Sequence, residues 1–358
     1  MSPSPHQEIV PRKHASGPGP SRLDISPLPS LQTFRLVYRA LADQNLPPLP
    51  TTALHGALGH ALKDTVCIHQ PRPPCPGCEM LRICACPALY EALPRAGGGA
   101  GVRDRAPAPW VVAPVEPYRG PEPIRLPRGG VIAFDLVLIG DGVLRHREVV
   151  VRALEEVGRR GLGVGPRRRD RRPPLALERF EATPVDGFDP GPEDTMLMSL
   201  RFITPLRLKS GGRIASRIDG RAFASSLIRR IDLLAQLYGS GPIQVSGPRP
   251  GPRPLAAGPA RDSSMDPDTM RSQTRPGDGL IVDDSDLKLA RTGRFSTRQD
   301  RRMEWPGLTG TLKLSGDDLP ILRPLIEFGQ RVHIGKATSF GHGVYRIVNG
   351  DVSDPAFT

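Results

Sequence analysis

The same order of predicted secondary structure occurs twice along this chain, and this repetition constrains the fold more than any other feature. Apolar periodicity and turn-forming residues in the first half predict a strand, a helix, two strands, a helix and a strand, at residues 31–41, 53–66, 109–118, 131–140, 146–160 and 175–184. The second half is predicted to follow the same order, at residues 196–209, 223–238, 287–291, 307–316, 319–328 and 344–348.

This order of elements is that of a ferredoxin-like domain. We therefore predict an α+β protein with two tandem ferredoxin-like (RRM-like) domains, at 30–190 and 191–350, joined near 184–194. A chain of 358 residues is long enough for two such domains. Residues 1–29 and 239–279 are rich in Pro and Gly and poor in apolar residues, so we expect a disordered tail and a flexible insertion there.

The charge of the chain indicates an anionic partner. The formal net charge is +12 and the sequence pI is about 10.1, so nucleic acid is the leading candidate. Arginine dominates the positive charge, and its planar guanidinium suits bidentate contacts with phosphate. Neither a signal peptide nor an apolar run long enough to span a membrane is present in the sequence, so we expect a cytoplasmic protein with no membrane partner.

A glycine-rich segment at residues 335–343, GKATSFGHG, is predicted to connect a short strand at 332–334 with the last strand. Its three glycines permit positive φ, and successive amides in such a loop can form an anion-binding nest. Lys336 adds a point charge. The spacing fits neither a P-loop nor a dinucleotide-binding fingerprint. The alternative to an anion site is a tight turn between two strands.

All five cysteines lie within twenty residues. Four of them have the spacing C-x7-C-x2-C-x5-C, and the fifth, Cys86, is interpreted as a spare. In a reducing compartment such a cluster indicates a metal site, for which four thiolates favour structural Zn²⁺ over an iron–sulfur cluster. The alternative is a set of unrelated buried thiols. We predict a metal-binding insertion at 67–94 in the first domain, with the ligands Cys67, Cys75, Cys78 and Cys84.

Four stretches in order resemble one family. They are LHGALGHAL at 54–62 with the cysteines after it, FITPLRLK at 202–209, RFSTRQDRRM at 294–303, and the glycine-rich loop. Together they resemble the CRISPR-associated RAMP-superfamily endoribonucleases that process precursor crRNA. The resemblance implies tandem ferredoxin-like folds and metal-independent cleavage of CRISPR repeat RNA. In that reaction the 2′-OH attacks the adjacent phosphate and leaves a 2′,3′-cyclic phosphate and a 5′-OH. It also implies partner subunits in an effector complex that receives the crRNA.

The resemblance places the catalytic histidine on or just after the first helix, where His55, His60 and His69 lie. Histidine suits acid–base work because its pKa lies near working pH. We favour His60, because Lys63 follows it by one helical turn, with His55 second. His55 stands where related sequences often carry Arg, so its role can instead be RNA contact. The alternative for each is a solvent-facing helix histidine.

A second group of residues is predicted to bind RNA. In an extended strand, Arg294 and Arg298 share one face and Arg301 falls on the other. A solvated basic edge strand is the alternative reading. The predicted RNA-binding residues are Arg294, Arg298, Arg301, Arg302, Lys336 and His342, although His342 also suits a plain turn.

Two other functions fit the same sequence. A non-catalytic RAMP subunit that binds crRNA in an effector complex has the same fold and glycine-rich loop. A zinc-bearing nucleic-acid adaptor unrelated to CRISPR is the third candidate.

Overall fold

The structure is a computed structural model, and it describes residues 27–69, 71–90, 106–162, 172–183, 196–210, 212–243, 276–296 and 301–348. The first half contains β1 (Leu31–Ala40), β2 (Gln44–Leu46), α1 (Pro50–Val66), α2 (Ala85–Tyr90), β3 (Trp110–Pro114), β4 (Ile124–Leu126), β5 (Val131–Ile139), α3 (Asp141–Leu144), α4 (Arg147–Arg160) and β6 (Leu175–Thr183).

The first sheet has the strand order β3-β5-β1-β6, and its neighbouring strands are antiparallel. Apolar residues alternate along β1, so that Phe34, Leu36 and Tyr38 are buried on one face, as the sequence predicts. Helices α1 and α4 cover that face, and their Leu58 and Leu154 belong to the same buried cluster. This strand order is that of a ferredoxin-like domain, so the fold predicted for the first half is confirmed.

The second half contains β7 (Leu197–Leu206), β8 (Lys209–Ser210), β9 (Arg213–Ile214), α5 (Gly220–Tyr238), β10 (Ile281–Asp283), β11 (Lys288–Ser296), β12 (Arg301–Ser315), α6 (Leu319–Val332), a 3₁₀ turn (Thr338–Phe340) and β13 (Tyr345–Val348). Its sheet has the order β10-β12-β7-β13, and β11 also pairs with β12. Helices α5 and α6 pack together over this sheet. The second ferredoxin-like fold is therefore confirmed.

The predicted end of the last helix is wrong. Phe328 and Gly329 do not end a helix, because α6 continues to Val332, and the strand predicted at 332–334 is absent from these described residues. Position 329, inside the helix, requires glycine because a Cβ atom there would collide with the Tyr345 hydroxyl. The glycine thus permits close packing of α6 on β13, and the helix ends at His333, whose φ is +61°.

The two sheets share a core. Val111, Val137 and Ile139 of the first sheet belong to the buried cluster that β7, α5 and α6 form in the second half. In addition, the Tyr238 hydroxyl at the end of α5 donates to the Pro107 carbonyl at 2.7 Å. These contacts fix how the N-terminal helix and the C-terminal loop meet.

Several predicted features lie outside the described residues. These are most of the tail, the junction near 184–194, the greater part of the 239–279 insertion, and the end of the 67–94 insertion. The domain boundaries therefore stay predictions. Among the helices that the structure describes, none is both long enough and apolar enough to cross a bilayer.

Candidate nucleic-acid interface

The glycine-rich loop lies directly on the first turns of α1, although the two segments are almost 290 residues apart. The Thr51 hydroxyl donates to the Phe340 carbonyl at 2.8 Å, and His55 Nδ1 lies 3.0 Å from the Ser339 carbonyl oxygen. The rings of His55 and Phe340 are in contact, with 3.6 Å between their centroids. The structure thus brings together two predicted site segments that belong to different domains.

Threonine is a residue type that often caps helices, but Thr51 does not cap α1. The helix begins at Pro50 after Leu49, which makes no side-chain cap. Instead, the buried Thr51 side chain uses its hydroxyl to hold the loop.

The backbone of the loop explains its glycines. The 3₁₀ turn is bracketed by Ala337 and Gly341, which both adopt left-handed conformations with φ of +61° and +86°. Gly343 has a φ of +69°, and a Cβ atom there would collide with the Ile334 carbonyl. Glycine at 341 and 343 is therefore required by both conformation and space.

Most of the loop amides that the structure describes are already used inside the protein. The amide of Lys336 donates to Arg207, that of Gly343 donates to Pro205, and others donate within the loop, namely those of Phe340, Gly341 and His342. An N–H group that donates to a protein carbonyl is not available to an anion. The predicted nest of backbone amides is thus largely replaced by internal hydrogen bonds, and contact with an anion falls to side chains such as that of the exposed Lys336.

His55 is the most constrained of the predicted catalytic histidines. Its half-buried ring stacks on Trp110, with centroids 4.9 Å apart, and lies 5.5 Å from the ring of Tyr90. Because the Ser339 carbonyl can only accept, the His55 Nδ1 atom is the donor in that contact. Neutral His55 then keeps an acceptor lone pair on Nε2, as a general base requires.

His60 and Lys63 lie elsewhere on α1. His60 is exposed, and five residues place it about 140° around the helix from His55. The Lys63 ammonium donates to the Pro73 carbonyl at 2.6 Å, in the cysteine-rich segment. Lys63 therefore ties that segment to α1, and its predicted part in catalysis stays a prediction. His69 lies within the cysteine-rich segment itself, with Nε2 3.6 Å from Cys78 Sγ.

A row of rings continues from the loop into the second sheet. Phe340 contacts Trp305 of β12 edge to face, with centroids 5.2 Å apart, and Trp305 lies 5.3 Å from His342. The Arg207 guanidinium stacks over Trp305 at 4.8 Å. Arg207, Tyr90 and Trp110 are further residues of this site that were not predicted from the sequence. No sequence signal identifies them, because they reach the site through tertiary packing.

His342 does not fit its predicted contact with RNA. Its side chain is 0 % exposed, with Nδ1 3.2 Å from the Pro205 carbonyl and Nε2 3.4 Å from the Thr292 hydroxyl. Burial, reinforced by the charge of Arg207, lowers the pKa of His342 from 6.5 to about 4. We assign this residue a packing role beneath the loop.

Acidification is expected to destabilise the protein between about pH 6.5 and 4. His342 stays neutral when folded and binds a proton near pH 6.5 when unfolded, so the unfolded state binds more protons in this window and stability falls as pH falls. Burial, together with the charges of Arg230 and Arg346, also lowers the pKa of His333, to about 3. Each histidine contributes up to about 1.4 kcal/mol per pH unit to the slope of the free energy of unfolding.

Urea denaturation at several pH values checks this prediction. His342→Gln, which keeps a hydrogen-bonding side chain but does not titrate, is expected to remove about half of the slope. An unchanged slope in the variant would show that His342 is not held neutral.

The predicted arginine segment forms a β-hairpin. In the backbone register of β11 and β12, Arg294 pairs with Met303, Phe295 with Arg302, and Ser296 with Arg301. Arg298 lies at 297–300, between the two strands in the sequence and outside the described residues. Arg301 and Arg302 lie on β12, the strand that also carries Trp305, which contacts Phe340 of the loop. Their binding of RNA stays a prediction.

The five cysteines line one cavity of about 290 Å³ beside α1, together with His69 and Lys63. Cys75 Sγ lies 3.7 Å from Cys86 Sγ, and none of the five forms a disulfide. Among the residues that the structure describes, no three His, Cys, Asp or Glu side chains converge as a ready metal site. The predicted ligands are therefore gathered around one cavity but are not arranged around one point.

Comparison with known proteins gives two family matches. Residues 200–345 match the model of the CRISPR-associated endoribonuclease Cas6, and residues 28–190 match a model described as an N-terminal domain. No curated protein matches the chain.

A solved Cas6 product complex is 19% identical and covers 89% of this chain and 100% of its own, with a TM-score of 0.49. Cas6 from Thermus thermophilus is 17% identical and covers 89% and 99%, with a TM-score of 0.46. A RAMP protein that binds different RNA substrates is 9% identical and covers 89% and 100%, with a TM-score of 0.47.

Proposed function

We propose that this chain, whose residues 200–345 match the model of the CRISPR-associated endoribonuclease Cas6, cleaves CRISPR repeat RNA to give mature crRNA. The family match confirms the resemblance stated from the ordered sequence motifs. The observation that carries the proposal is that the glycine-rich loop of the Cas6 region contacts the helix that bears His55. A histidine and a loop from opposite halves of the chain thus form one surface.

The proposed reaction is an internal phosphoryl transfer that needs no metal ion. The ribose 2′-oxygen forms a bond to the adjacent phosphorus, and the bond from phosphorus to the 5′-oxygen of the next nucleotide breaks. The products carry a 2′,3′-cyclic phosphate and a 5′-OH. A base must take the 2′-OH proton, an acid must protonate the leaving 5′-oxygen, and cations must offset the charge that develops on phosphorus.

His55 is the histidine that we propose as the base. Support comes from its fixed ring: the Ser339 carbonyl accepts from Nδ1, and Phe340 and Trp110 pack against the ring faces. A base held in one tautomer and one orientation meets the geometric demand of proton abstraction. His60, favoured from the sequence, remains the second candidate because its exposed position is open to RNA.

Positive side chains around the loop supply the cations. Lys336 is exposed on the loop, and strands β11 and β12 carry the predicted phosphate contacts Arg294, Arg301 and Arg302. The fourth predicted contact, Arg298, lies outside the described residues. Such contacts hold the RNA backbone and make binding sensitive to salt. Transfer of the product to other subunits of an effector complex stays a prediction.

Lys336→Ala is expected to weaken binding of repeat RNA by about 3–10-fold and to reduce the slope of log K against log[salt] by about one. Filter binding at several salt concentrations measures both quantities. Lys313→Ala is the matched control, because Lys313 is also exposed but lies near the far end of β12, where it pairs with Ser199 and Asp283. Equal effects of the two variants would mean that only overall charge matters.

Incubation of the purified chain with its cognate repeat RNA in EDTA tests the proposed function. We expect cleavage at one position, with a 2′,3′-cyclic phosphate on the upstream product and a 5′-OH on the downstream product. Circular dichroism in the same buffer controls for unfolding by the chelator. Tight binding without products would favour the non-catalytic RAMP subunit, and binding that ignores the repeat would favour a general adaptor.

A further inference from the structure

We propose that the cysteine-rich segment binds one Zn²⁺ through Cys75, Cys78, Cys86 and His69. This set replaces two of the ligands expected from spacing, Cys67 and Cys84, and it gives a role to the cysteine interpreted as a spare. The inference is independent of the proposed nuclease activity, because the metal stabilises the segment and takes no part in cleavage.

Two interatomic distances carry the proposal. Cys75 Sγ and Cys86 Sγ are 3.7 Å apart, and Cys78 Sγ and His69 Nε2 are 3.6 Å apart. In a tetrahedral site with Zn–S bonds of about 2.3 Å and Zn–N bonds of about 2.05 Å, two sulfur ligands lie about 3.8 Å apart, and a sulfur and a nitrogen about 3.6 Å apart. Each pair therefore already has the separation of two ligands on a shared zinc ion.

A tight turn joins the two pairs. Cys75 and Cys78 belong to different pairs but lie on one turn, in which the Cys78 amide donates to the Cys75 carbonyl at 3.0 Å. Gly77 within the turn has a φ of +92°, which glycine adopts without strain. A turn with two cysteines three residues apart is the usual way that a protein presents two ligands to one zinc ion.

The remaining cysteines, Cys67 and Cys84, line the same cavity, but among the described residues neither forms a close pair with another thiol or with an imidazole. Cys67 Sγ lies 4.0 Å from a carbonyl oxygen, that of His69, and Cys84 lines the cavity at the entrance to α2. No three potential ligands among the described residues converge on one point. Zinc must therefore draw the two pairs together across their shared cavity.

Zinc in this position would hold α2 against α1. Cys86 lies in the first turn of α2, and at the other end of that helix the Tyr90 hydroxyl donates to the His55 carbonyl at 3.0 Å. The Lys63 ammonium of α1 also donates to the carbonyl of Pro73, which precedes Cys75 in the cysteine-rich segment. The metal is thus expected to stabilise the packing around α1.

Metal analysis of the full chain after zinc reconstitution tests the proposal. We expect about one zinc ion per chain in the wild type and in the control variants Cys67→Ser and Cys84→Ser. Cys75→Ser, Cys78→Ser, Cys86→Ser and His69→Asn are expected to lose the ion or to bind Co²⁺ at least tenfold more weakly. Circular dichroism checks that each variant is folded.

A measurement on the unmodified protein covers the case in which a ligand variant does not fold. The visible spectrum of the cobalt-substituted wild type distinguishes three thiolates and an imidazole, which we expect, from four thiolates. A four-thiolate spectrum would overturn the proposal, as would loss of zinc in Cys84→Ser but not in Cys86→Ser. A metal-free chain, including one with a Cys75–Cys86 disulfide and a mass lower by two hydrogens, would overturn it as well.

Discussion

Replacing His55 and His60 together by Ala is expected to lower the cleavage rate of repeat RNA by about 10²–10⁴-fold, the usual contribution of a positioned acid–base group. The dissociation constant for the RNA is expected to change by less than about threefold, because the phosphate contacts that dominate affinity are left in place. Single-turnover cleavage and filter binding measure the two quantities separately.

Single variants assign the loss to one histidine. Because His55 packs between Phe340 and Trp110, His55→Phe keeps an aromatic ring in place and removes both nitrogen atoms, together with the contact of Nδ1 with the Ser339 carbonyl. We expect this variant to fold and to show nearly the whole fall in cleavage rate of the double variant. The cleavage rate of His60→Ala is expected to stay within a few-fold of wild type. The opposite pattern would make the exposed His60 the catalytic group, and full activity in the double variant would exclude both histidines of α1.

Gly341→Ala is expected to dislodge the glycine-rich loop from α1 and to abolish most of the cleavage. Gly341 has a φ of +86°, and a Cβ atom there would lie 2.6 Å from Thr51 Cβ and would also collide with the Thr51 hydroxyl. Either the loop or the Thr51 side chain must move. This movement is expected to weaken the contacts of Thr51 with Phe340 and of His55 with Ser339. Urea denaturation and single-turnover cleavage measure the cost to stability and activity.

Gly212→Ala separates conformational strain from the collision. Gly212 has nearly the same φ, +84°, but nothing lies within 4 Å of a Cβ atom at that position. Both variants are expected to lose about 1–2 kcal/mol through the left-handed backbone, but only Gly341→Ala should also lose activity. Adding Thr51→Gly to Gly341→Ala relieves the collision, so we expect a positive coupling energy in the double-mutant cycle. Equal loss of activity in the two glycine variants would contradict the docking of the loop.

Local sequence signals predicted the fold because the elements depend on local periodicity. The alternation along β1 and the apolar stripe of α1, with Leu54, Leu58 and Leu62 buried, are both present in the structure. Predictions from the sequence failed where the role of a residue depends on its tertiary contacts. The helix predicted to end at residue 328 continues through Gly329, which lies against Tyr345, and the Thr51 hydroxyl binds the loop instead of capping α1.

The candidate site was only partly predictable for the same reason. The histidines of α1 and the glycines of the loop are visible in the sequence, but nothing local states that Ser339 lies against His55. The use of the loop amides by Arg207 and Pro205 is likewise a product of packing, and it changes the interpretation of the loop from an amide nest to a support for side chains. The pairing of Cys86 with Cys75 follows from the buried position of Cys86 rather than from its spacing.

One measurement tests the central claim most directly. The wild-type chain is incubated in EDTA with a repeat RNA that carries a single 2′-deoxynucleotide at the cleavage position. Because the 2′-oxygen is the proposed nucleophile, we expect binding within about threefold of the unmodified RNA, since phosphate contacts dominate affinity, and no cleavage at that phosphate. Cleavage of the 2′-deoxy substrate at the normal position would contradict the proposed mechanism.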